Sequence, residues 1–174
     1  MAKRIGVVIF DGFETLDVYG PLGLLVSSGA HEQRYSATLI GDLHSQPNTV
    51  ISSSSKLPTP VSHGLQEAKD QNYDILLIPG GLGNRRLLPD VQYRQALLHT
   101  AEGVLENGGT VLCVCTGSIL LAATGLLNGK NATTNKRAYD ELTPHYPRVH
   151  WKRGARWTVD GNIITSSGVT AGMV

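Results

Sequence analysis

Short apolar runs alternate along this chain with longer segments in which apolar residues recur at helical spacing. Residues 5–10 (IGVVIF) and 73–78 (YDILLI) are almost continuously apolar, which is typical of strands covered on both faces of a sheet. Further strands are predicted at 35–40, at 110–114, and as a short edge strand at 49–52 within a loop at 44–64 that is rich in Ser, Pro and Thr.

The segments between these strands carry helical periodicity and recognisable stop signals. Helices are predicted at 16–26 with Gly29 as the stop, at 90–106 with Asn107-Gly108-Gly109 as the stop, at 117–123, and at 136–142. A hairpin is predicted from 155–159 and 163–165 around the turn dipeptide Asp160-Gly161. The alternation predicts one α/β domain over residues 1–174, a three-layer sandwich with a mostly parallel sheet flanked by helices.

Composition and charge exclude several classes of function. The chain of 174 residues is 41% hydrophobic with a net charge of +1, and no run of like charge predicts a nucleic-acid partner. No segment approaches the roughly 18 apolar residues that span a bilayer, so no membrane association is expected. Cys113 and Cys115 lie two positions apart in one strand and cannot readily bond to each other. Such thiols predict a reducing, cytoplasmic location.

Polar and glycine-rich segments follow three of the predicted strands. DGFETLD (11–17) follows the first strand, PGGLG (79–83) follows YDILLI, and CTGS (115–118) follows VLCV. Ligands of open α/β sheets bind at the carboxyl ends of the strands. The three segments together therefore predict one site, with a small molecule as its substrate.

Cys115 is the candidate nucleophile because it lies where a buried strand turns into a helix. Such turns present nucleophiles in hydrolases, and backbone N–H groups of the starting helix are expected to favour the thiolate. The alternative is that Cys115 is a small buried apolar residue, which is a common fate of free cysteine. The Thr-Gly-Ser that follows favours the catalytic interpretation, whereas Cys113, inside the strand, is interpreted as core.

Two further features supply candidate partners for this thiol. Asp17 lies within an apolar stretch, so it is expected to face the crevice with a raised pKa and to serve as acid and base. Helix-start preference alone accounts for Glu14. Gly80 and Gly81 form either a simple tight turn or a source of backbone N–H groups for an oxyanion. No complete phosphate loop and no Cys/His metal spacing occurs, so neither a nucleotide nor a metal ion is predicted.

Four motifs in sequence order resemble the ThiJ/PfpI superfamily: DGFETLDVYGPL, IPGGLG, VCTGSILLAATGLLNGKNATTN and GNIITSSGVTAG. The resemblance runs from residue 4 to the end and implies a flavodoxin-like fold similar to class I glutamine amidotransferases. Within the superfamily, Asp-x-x-Gly-Pro and Cys-Thr-Gly are most similar to the isonitrile hydratase branch. Members continue into a further helix after the last motif, so residues 1–174 are expected to be either a naturally short domain or one truncated before that helix.

The resemblance also implies roles for the matching residues. Three would be catalytic, namely Cys115 as nucleophile, Asp17 as the acid and base beside it, and Thr116 as an active-site hydroxyl. Three glycines would bind substrate or an oxyanion, namely Gly80, Gly81 and Gly117. The branch implies a lyase without a cofactor, assembled as a homodimer. It would convert an isonitrile into an N-substituted formamide through a thioimidate on cysteine.

One departure from the family pattern bears on the activity. Many relatives have histidine where this chain has Asn135, and asparagine cannot act as a general base. A Cys-His hydrolase or glyoxalase acting on carbonyl compounds therefore lacks its usual base, whereas a hydratase that uses cysteine and aspartate does not. The other alternative is a ligand-sensing domain similar to those of AraC-type regulators, although no helix-turn-helix region follows in this sequence.

Overall fold

The fold is organised around a six-stranded sheet. The computed structural model describes residues 2–27, 35–46 and 48–173, so the predicted helix stop at Gly29 lies outside the described residues. The strands are β1 (Lys3–Val8), β2 (Tyr35–Ile40), β3 (Val50–Ser52), β4 (Pro58–Pro60), β5 (Ile75–Ile78), β6 (Thr110–Val114), β7 (Asn131–Ala132), β8 (His150–Trp151), β9 (Trp157–Asp160) and β10 (Ile163–Ser166). The helices are α1 (Thr15–Ser27), α2 (Leu65–Ala68), α3 (Asn84–Leu87), α4 (Val91–Glu106), α5 (Gly117–Ala123) and α6 (Tyr139–Leu142), with 3-10 helices at Thr143–His145 and Val169–Met173.

The main sheet has the strand order β2-β1-β5-β6-β10-β9. Its neighbouring strands are parallel except β9 and β10, which form the predicted hairpin around Asp160-Gly161. Val7, Leu77 and Leu112 are paired in register across β1, β5 and β6. The mostly parallel α/β sheet flanked by helices, predicted from the sequence, is confirmed.

Helix α4 illustrates how sequence periodicity places the helices against this sheet. Tyr93, Leu97, Ala101 and Val104 are spaced three or four residues apart and are all buried. The helix begins one residue later than predicted, because Asp90 is its cap and accepts a hydrogen bond from Tyr93 N–H at 3.0 Å. α4 packs on β5 and β6, whereas α1 packs on β2 and on the last 3-10 helix.

The sequence-based assignment of the polar segment 44–64 is incomplete. The predicted edge strand exists as β3, but it pairs with β4 in a separate two-stranded sheet and not with the main sheet. Pro58 and Pro60 at the two ends of β4 cannot donate ladder hydrogen bonds, and such a composition conceals a strand from pattern analysis. Among the strands and α-helices, the remaining unpredicted elements (α2, α3, β7 and β8) have four residues or fewer and give no periodic signal.

Some predicted elements have different bounds in the structure. β1 has six residues, as predicted, but is shifted by two positions: it ends at Val8 and not at residue 10, although Ile9 N–H still donates to the Ile40 carbonyl at 2.8 Å. The helix predicted at 136–142 is limited to α6, so the residues before it form an open turn. That turn brings Asn135 and its neighbours to the carboxyl end of the sheet.

Candidate active site

The three polar and glycine-rich strand ends predicted from the sequence lie side by side. β1, β5 and β6 are consecutive in the sheet, so their carboxyl ends share one edge. Glu14 N–H donates to the Gly80 carbonyl at 2.8 Å, which joins the loop after β1 to the loop after β5. Gly81 N–H donates to Thr116 Oγ1 at 3.2 Å, which joins the loop after β5 to the turn after β6. The three loops therefore form one continuous site.

Cys115 occupies the sharp strand-to-helix turn that the sequence predicted. Its φ of 57° lies in the left-handed region, which is uncommon for a residue with a side chain and is typical of strained functional turns. Its carbonyl accepts hydrogen bonds from Thr134 Oγ1 (3.1 Å) and Ser118 Oγ (3.2 Å), and its N–H donates to the Ser166 carbonyl (3.0 Å). These bonds hold the backbone in the strained conformation, and the residue is 7% exposed.

Glycine is required where the loop after β5 approaches this turn. A Cβ on Gly80 would lie 2.6 Å from the Thr116 nitrogen, and one on Gly117 would lie 2.2 Å from the Ile78 carbonyl oxygen. Gly81 has a φ of 138°, and a Cβ there would lie 2.3 Å from the Gly12 carbonyl oxygen. The glycines therefore allow backbone from the two strand ends to come into direct contact.

The backbone N–H groups expected to hold an oxyanion are already engaged in this structure. Gly80 N–H donates to Asp17 Oδ2 at 3.0 Å, and Gly81 N–H donates to the Thr116 hydroxyl. Oxyanion binding by Gly81 stays a prediction, and it requires the Thr116 hydroxyl to give up this hydrogen bond. Thr116 accepts that bond, so its own hydroxyl proton remains available to a ligand.

Asp17 lies beneath this backbone and is fully buried. Its Oδ2 accepts the Gly80 N–H, and Oδ1 has no hydrogen-bond partner among the described residues. The carboxyl group lies close enough to the Cys115 side chain to interact with it. Burial, reinforced by the nearby Glu14 carboxylate, raises the pKa of Asp17 from 3.8 to about 6. The expectation of a raised pKa is confirmed, and burial is its main cause.

The expectation that the helix N-terminus favours the Cys115 thiolate is wrong. Burial, with the Asp17 carboxylate as the second cause, raises the pKa of Cys115 to about 12. The Thr116 N–H and Asn135 act in the opposite direction but are outweighed. α5 is only seven residues long and cannot offset the loss of solvent around the sulfur. At neutral pH the resting pair is therefore a Cys115 thiol beside an Asp17 carboxylate.

Above the sulfur lies a cavity of about 640 Å³, and Cys115 forms part of its base. The wall combines an exposed apolar side chain, Leu82, with an ion pair in which Arg85 Nη2 lies 3.2 Å from Glu141 Oε1. The residues that line it are Glu14, Gly81, Leu82, Arg85, Cys115, Thr116, Asn135, Arg137, Ala138 and Glu141. A cavity of this size accommodates a small organic substrate against the thiol.

Several residues of the site carry no signal that sequence reasoning could use. Asn84 is buried and donates from Nδ2 to the Thr116 carbonyl at 3.1 Å, so it helps to fix the turn between β6 and α5. Arg85, Arg137 and Glu141 reach the cavity from separate, short or irregular segments. Only the tertiary fold brings them together. The ATTN motif did draw attention to Asn135, whose Nδ2 lies 3.0 Å from Cys115 Sγ.

Cys113, by contrast, is 2% exposed and lies away from this cavity. It borders an apolar groove of about 420 Å³ between α1, the sheet and the last 3-10 helix. Burial raises its pKa strongly, which agrees with the interpretation of Cys113 as core.

In the part of the chain that the structure describes, no three His, Cys, Asp or Glu side chains converge on a possible metal site. Across residues 2–27, 35–46 and 48–173, none of the helices has the length and apolar character needed to cross a bilayer.

Comparison with known proteins agrees with this fold. The chain is 32% identical to the isonitrile hydratase of Pseudomonas putida over 181 residues, covering 99% of this chain and 68% of that protein. Among solved structures, a ThiJ/PfpI family protein from Pseudomonas syringae superposes with a TM-score of 0.80 at 22% identity, covering 99% of this chain and 65% of the other. Drosophila melanogaster DJ-1beta superposes with a TM-score of 0.79 at 21% identity, with coverages of 99% and 86%. The DJ-1/PfpI family model matches residues 3–174, and the chain therefore belongs to the DJ-1/PfpI family.

Proposed function

We propose that this protein is a cysteine-dependent lyase that hydrates an isonitrile to an N-substituted formamide. The observation that carries the proposal is the pairing of Cys115, at the base of the cavity, with a buried Asp17 whose pKa is about 6. A base with a pKa near neutrality both accepts and returns a proton efficiently. The 32% identity to an isonitrile hydratase supports this reaction over others of the family.

In the first half of the reaction the thiol adds to the terminal carbon of the isonitrile. Asp17 Oδ1 accepts the thiol proton while Sγ of Cys115 forms a bond to that carbon. The protonated Asp17 then returns the same proton to the carbon, which gives a thioimidate with one new C–S bond and one new C–H bond. The resting protonation state of the pair, thiol and carboxylate, is the one that this step requires.

In the second half a water molecule replaces the sulfur. The Asp17 carboxylate accepts one proton of the water as the water oxygen bonds to the thioimidate carbon, and the Thr116 hydroxyl, which lines the cavity, gives its proton to the substrate nitrogen. The C–S bond then breaks as the new hydroxyl group returns its proton to Thr116 and becomes the formamide carbonyl. The sulfur takes up the proton held by Asp17, and the N-substituted formamide leaves. The formamide contains the atoms of one isonitrile and one water molecule, so the overall reaction balances.

A panel of three substrate classes tests the proposed reaction. Purified protein is supplied with alkyl and aryl isonitriles, 2-oxoaldehydes and short peptides, and the products are followed by mass spectrometry. We expect formamide from the isonitriles alone, because Asn135 supplies no general base for a Cys-His mechanism. Turnover of oxoaldehydes or peptides without formamide formation would favour the glyoxalase or hydrolase. Binding of an isonitrile without turnover would favour a sensing domain.

We further propose, from the family resemblance, a homodimer in the cytoplasm. Cys113 and Cys115 are both free thiols and both buried, which is compatible with a reducing compartment. Light scattering at micromolar concentration should give about twice the chain mass of 18.6 kDa. A mass that stays at that of one chain across a hundredfold concentration range would contradict the dimer.

A further inference from the structure

Asn135 contacts the sulfur of Cys115 but takes no part in the proton transfers of the proposed mechanism. Its Nδ2 lies 3.0 Å from Cys115 Sγ, on the wall of the cavity. Its Oδ1 accepts a hydrogen bond from Arg137 N–H at 2.9 Å. Because an amide oxygen and nitrogen are distinguished by their hydrogen-bond partners, this second bond fixes which end of the amide faces the sulfur. Asn135 therefore presents a donor, its NH2 group, to Cys115.

That donor opposes the two influences that keep the thiol protonated. Burial and the Asp17 carboxylate raise the pKa of Cys115, whereas Asn135 and the Thr116 N–H lower it. A hydrogen bond to sulfur favours the anion over the thiol, and an asparagine donates at every pH because it does not titrate. The other charged groups that face the cavity are Glu14, Arg85, Arg137 and Glu141.

We infer that Asn135 is a further catalytic residue, which stabilises the sulfur anion of Cys115 without exchanging a proton. As the thiol proton passes to Asp17 Oδ1, sulfur keeps the bonding electrons as a lone pair that accepts the Nδ2–H hydrogen bond. No bond to Asn135 forms or breaks. The same donor stabilises the sulfur when the C–S bond breaks in the second half of the reaction. For that reaction the inference rests on the proposed function, but its effect on the thiol is measurable without substrate.

The choice of asparagine also determines where the proton goes. A histidine at this position could take the thiol proton itself and hold it as imidazolium. An asparagine cannot, so Asp17 is the acceptor that remains next to the sulfur. The proton then stays beside the substrate carbon that must receive it. For the proposed hydratase, this explains why an asparagine can stand at position 135, where many relatives have a histidine.

Alkylation of Cys115 by iodoacetamide between pH 6 and 10, followed by peptide mass mapping, tests the inference. Asn135→Asp keeps an oxygen that can accept the Arg137 N–H but removes the donor to sulfur, whereas Asn135→Leu removes both. We expect both variants to alkylate about 5- to 10-fold more slowly at pH 8, which is the net effect of one lost hydrogen bond. Asn135→His should restore fast alkylation and add a second step to the pH profile near neutrality.

The matched control is Asn128→Asp, which makes the same change of charge at an exposed asparagine outside the cavity lining. It should alkylate at the wild-type rate, and thermal melting should show that all variants fold. Unchanged alkylation in both Asn135→Asp and Asn135→Leu would overturn the inference. Slowing in Asn135→Leu alone would point to the loop hydrogen bond, and slowing in Asn135→Asp alone to charge repulsion, and either overturns it. Absence of isonitrile turnover would count against the proposed function and leave these alkylation results unaffected.

Discussion

Cys115→Ala should abolish formamide production, with turnover lowered by about 10⁶-fold, the loss found when a covalent nucleophile is removed from an enzyme. The physical reason is that no other described side chain in the cavity can form the carbon–sulfur bond of the thioimidate. Asp17 and the backbone donors would remain, but they have no intermediate to act upon. Steady-state kinetics with the isonitrile that the panel identifies would measure this loss.

The matched control for this variant is Cys113→Ala, which removes the other thiol of the chain. Cys113 is buried in β6 and borders a different groove, so its loss should leave turnover within about twofold of wild type. It should cost only the small stability penalty of a buried sulfur atom, about 1 kcal/mol. If Cys115→Ala retained more than a tenth of the wild-type rate, or if Cys113→Ala were the inactive variant, the covalent mechanism on Cys115 would be wrong.

The sequence predicted the centre of this site because its residues follow directly on buried strands. β6 and α5 have the predicted bounds, and the turn between them holds Cys115 with a left-handed φ. Parallel strands place their carboxyl ends at one edge, so Asp17 and Gly80 are expected to lie near the thiol. The order of the strands and loops along the chain, together with the geometry of a parallel sheet, is sufficient to predict that these three residues lie together.

The residues that form the outer wall of the cavity and the direction of the Cys115 pKa shift could not be predicted in this way. Arg85 and Glu141 meet at the cavity although they are far apart in sequence and lie on or beside four-residue helices without a periodic pattern. The sign of the Cys115 pKa shift depends on how far burial outweighs a short helix, and that is a property of packing. The sequence shows which groups act on a thiol, but only the structure shows which of them prevails.

Asp17→Asn should lower formamide turnover by about 10²–10⁴-fold, the usual contribution of general acid–base catalysis. The amide can still accept the Gly80 N–H, so the geometry is retained, but it cannot take the thiol proton. In the wild type, turnover should rise with pH through about 6, because Asp17 must be ionised to act as the base. In Asp17→Asn this rise should be absent. Kinetics between pH 4.5 and 8 would measure both effects.

The same substitution should make the protein more stable at neutral pH. The folded-state pKa of Asp17, about 6, lies above its ordinary value of 3.8, so the folded state holds a proton that the unfolded state has lost. Stability contributed by this group is therefore greatest below pH 4 and falls as the pH rises through 6. At 1.36 kcal/mol for each pH unit, the penalty above pH 6 reaches at most about 3 kcal/mol. Asp17→Asn removes it, which corresponds to a gain in Tm of up to about 10 °C at pH 8.

The opposite directions of these two effects separate a catalytic Asp17 from a structural one. If Asp17 served only to cap the start of α1, its replacement would lower the free energy of unfolding by about 0.3–1 kcal/mol and leave turnover unchanged. If Asp17 is a buried catalytic carboxylate, its replacement should lower turnover and make the protein more stable, and the gain in stability should vanish near pH 4. Glu14→Gln, at the neighbouring carboxylate, should keep turnover within about tenfold and move the acid limb below pH 6, because the Glu14 charge raises the pKa of Asp17. An Asp17→Asn variant that is less stable than wild type at pH 8 would contradict the raised pKa of Asp17 and indicate a structural role. A loss of turnover confined to Glu14→Gln would transfer the catalytic role from Asp17 to Glu14.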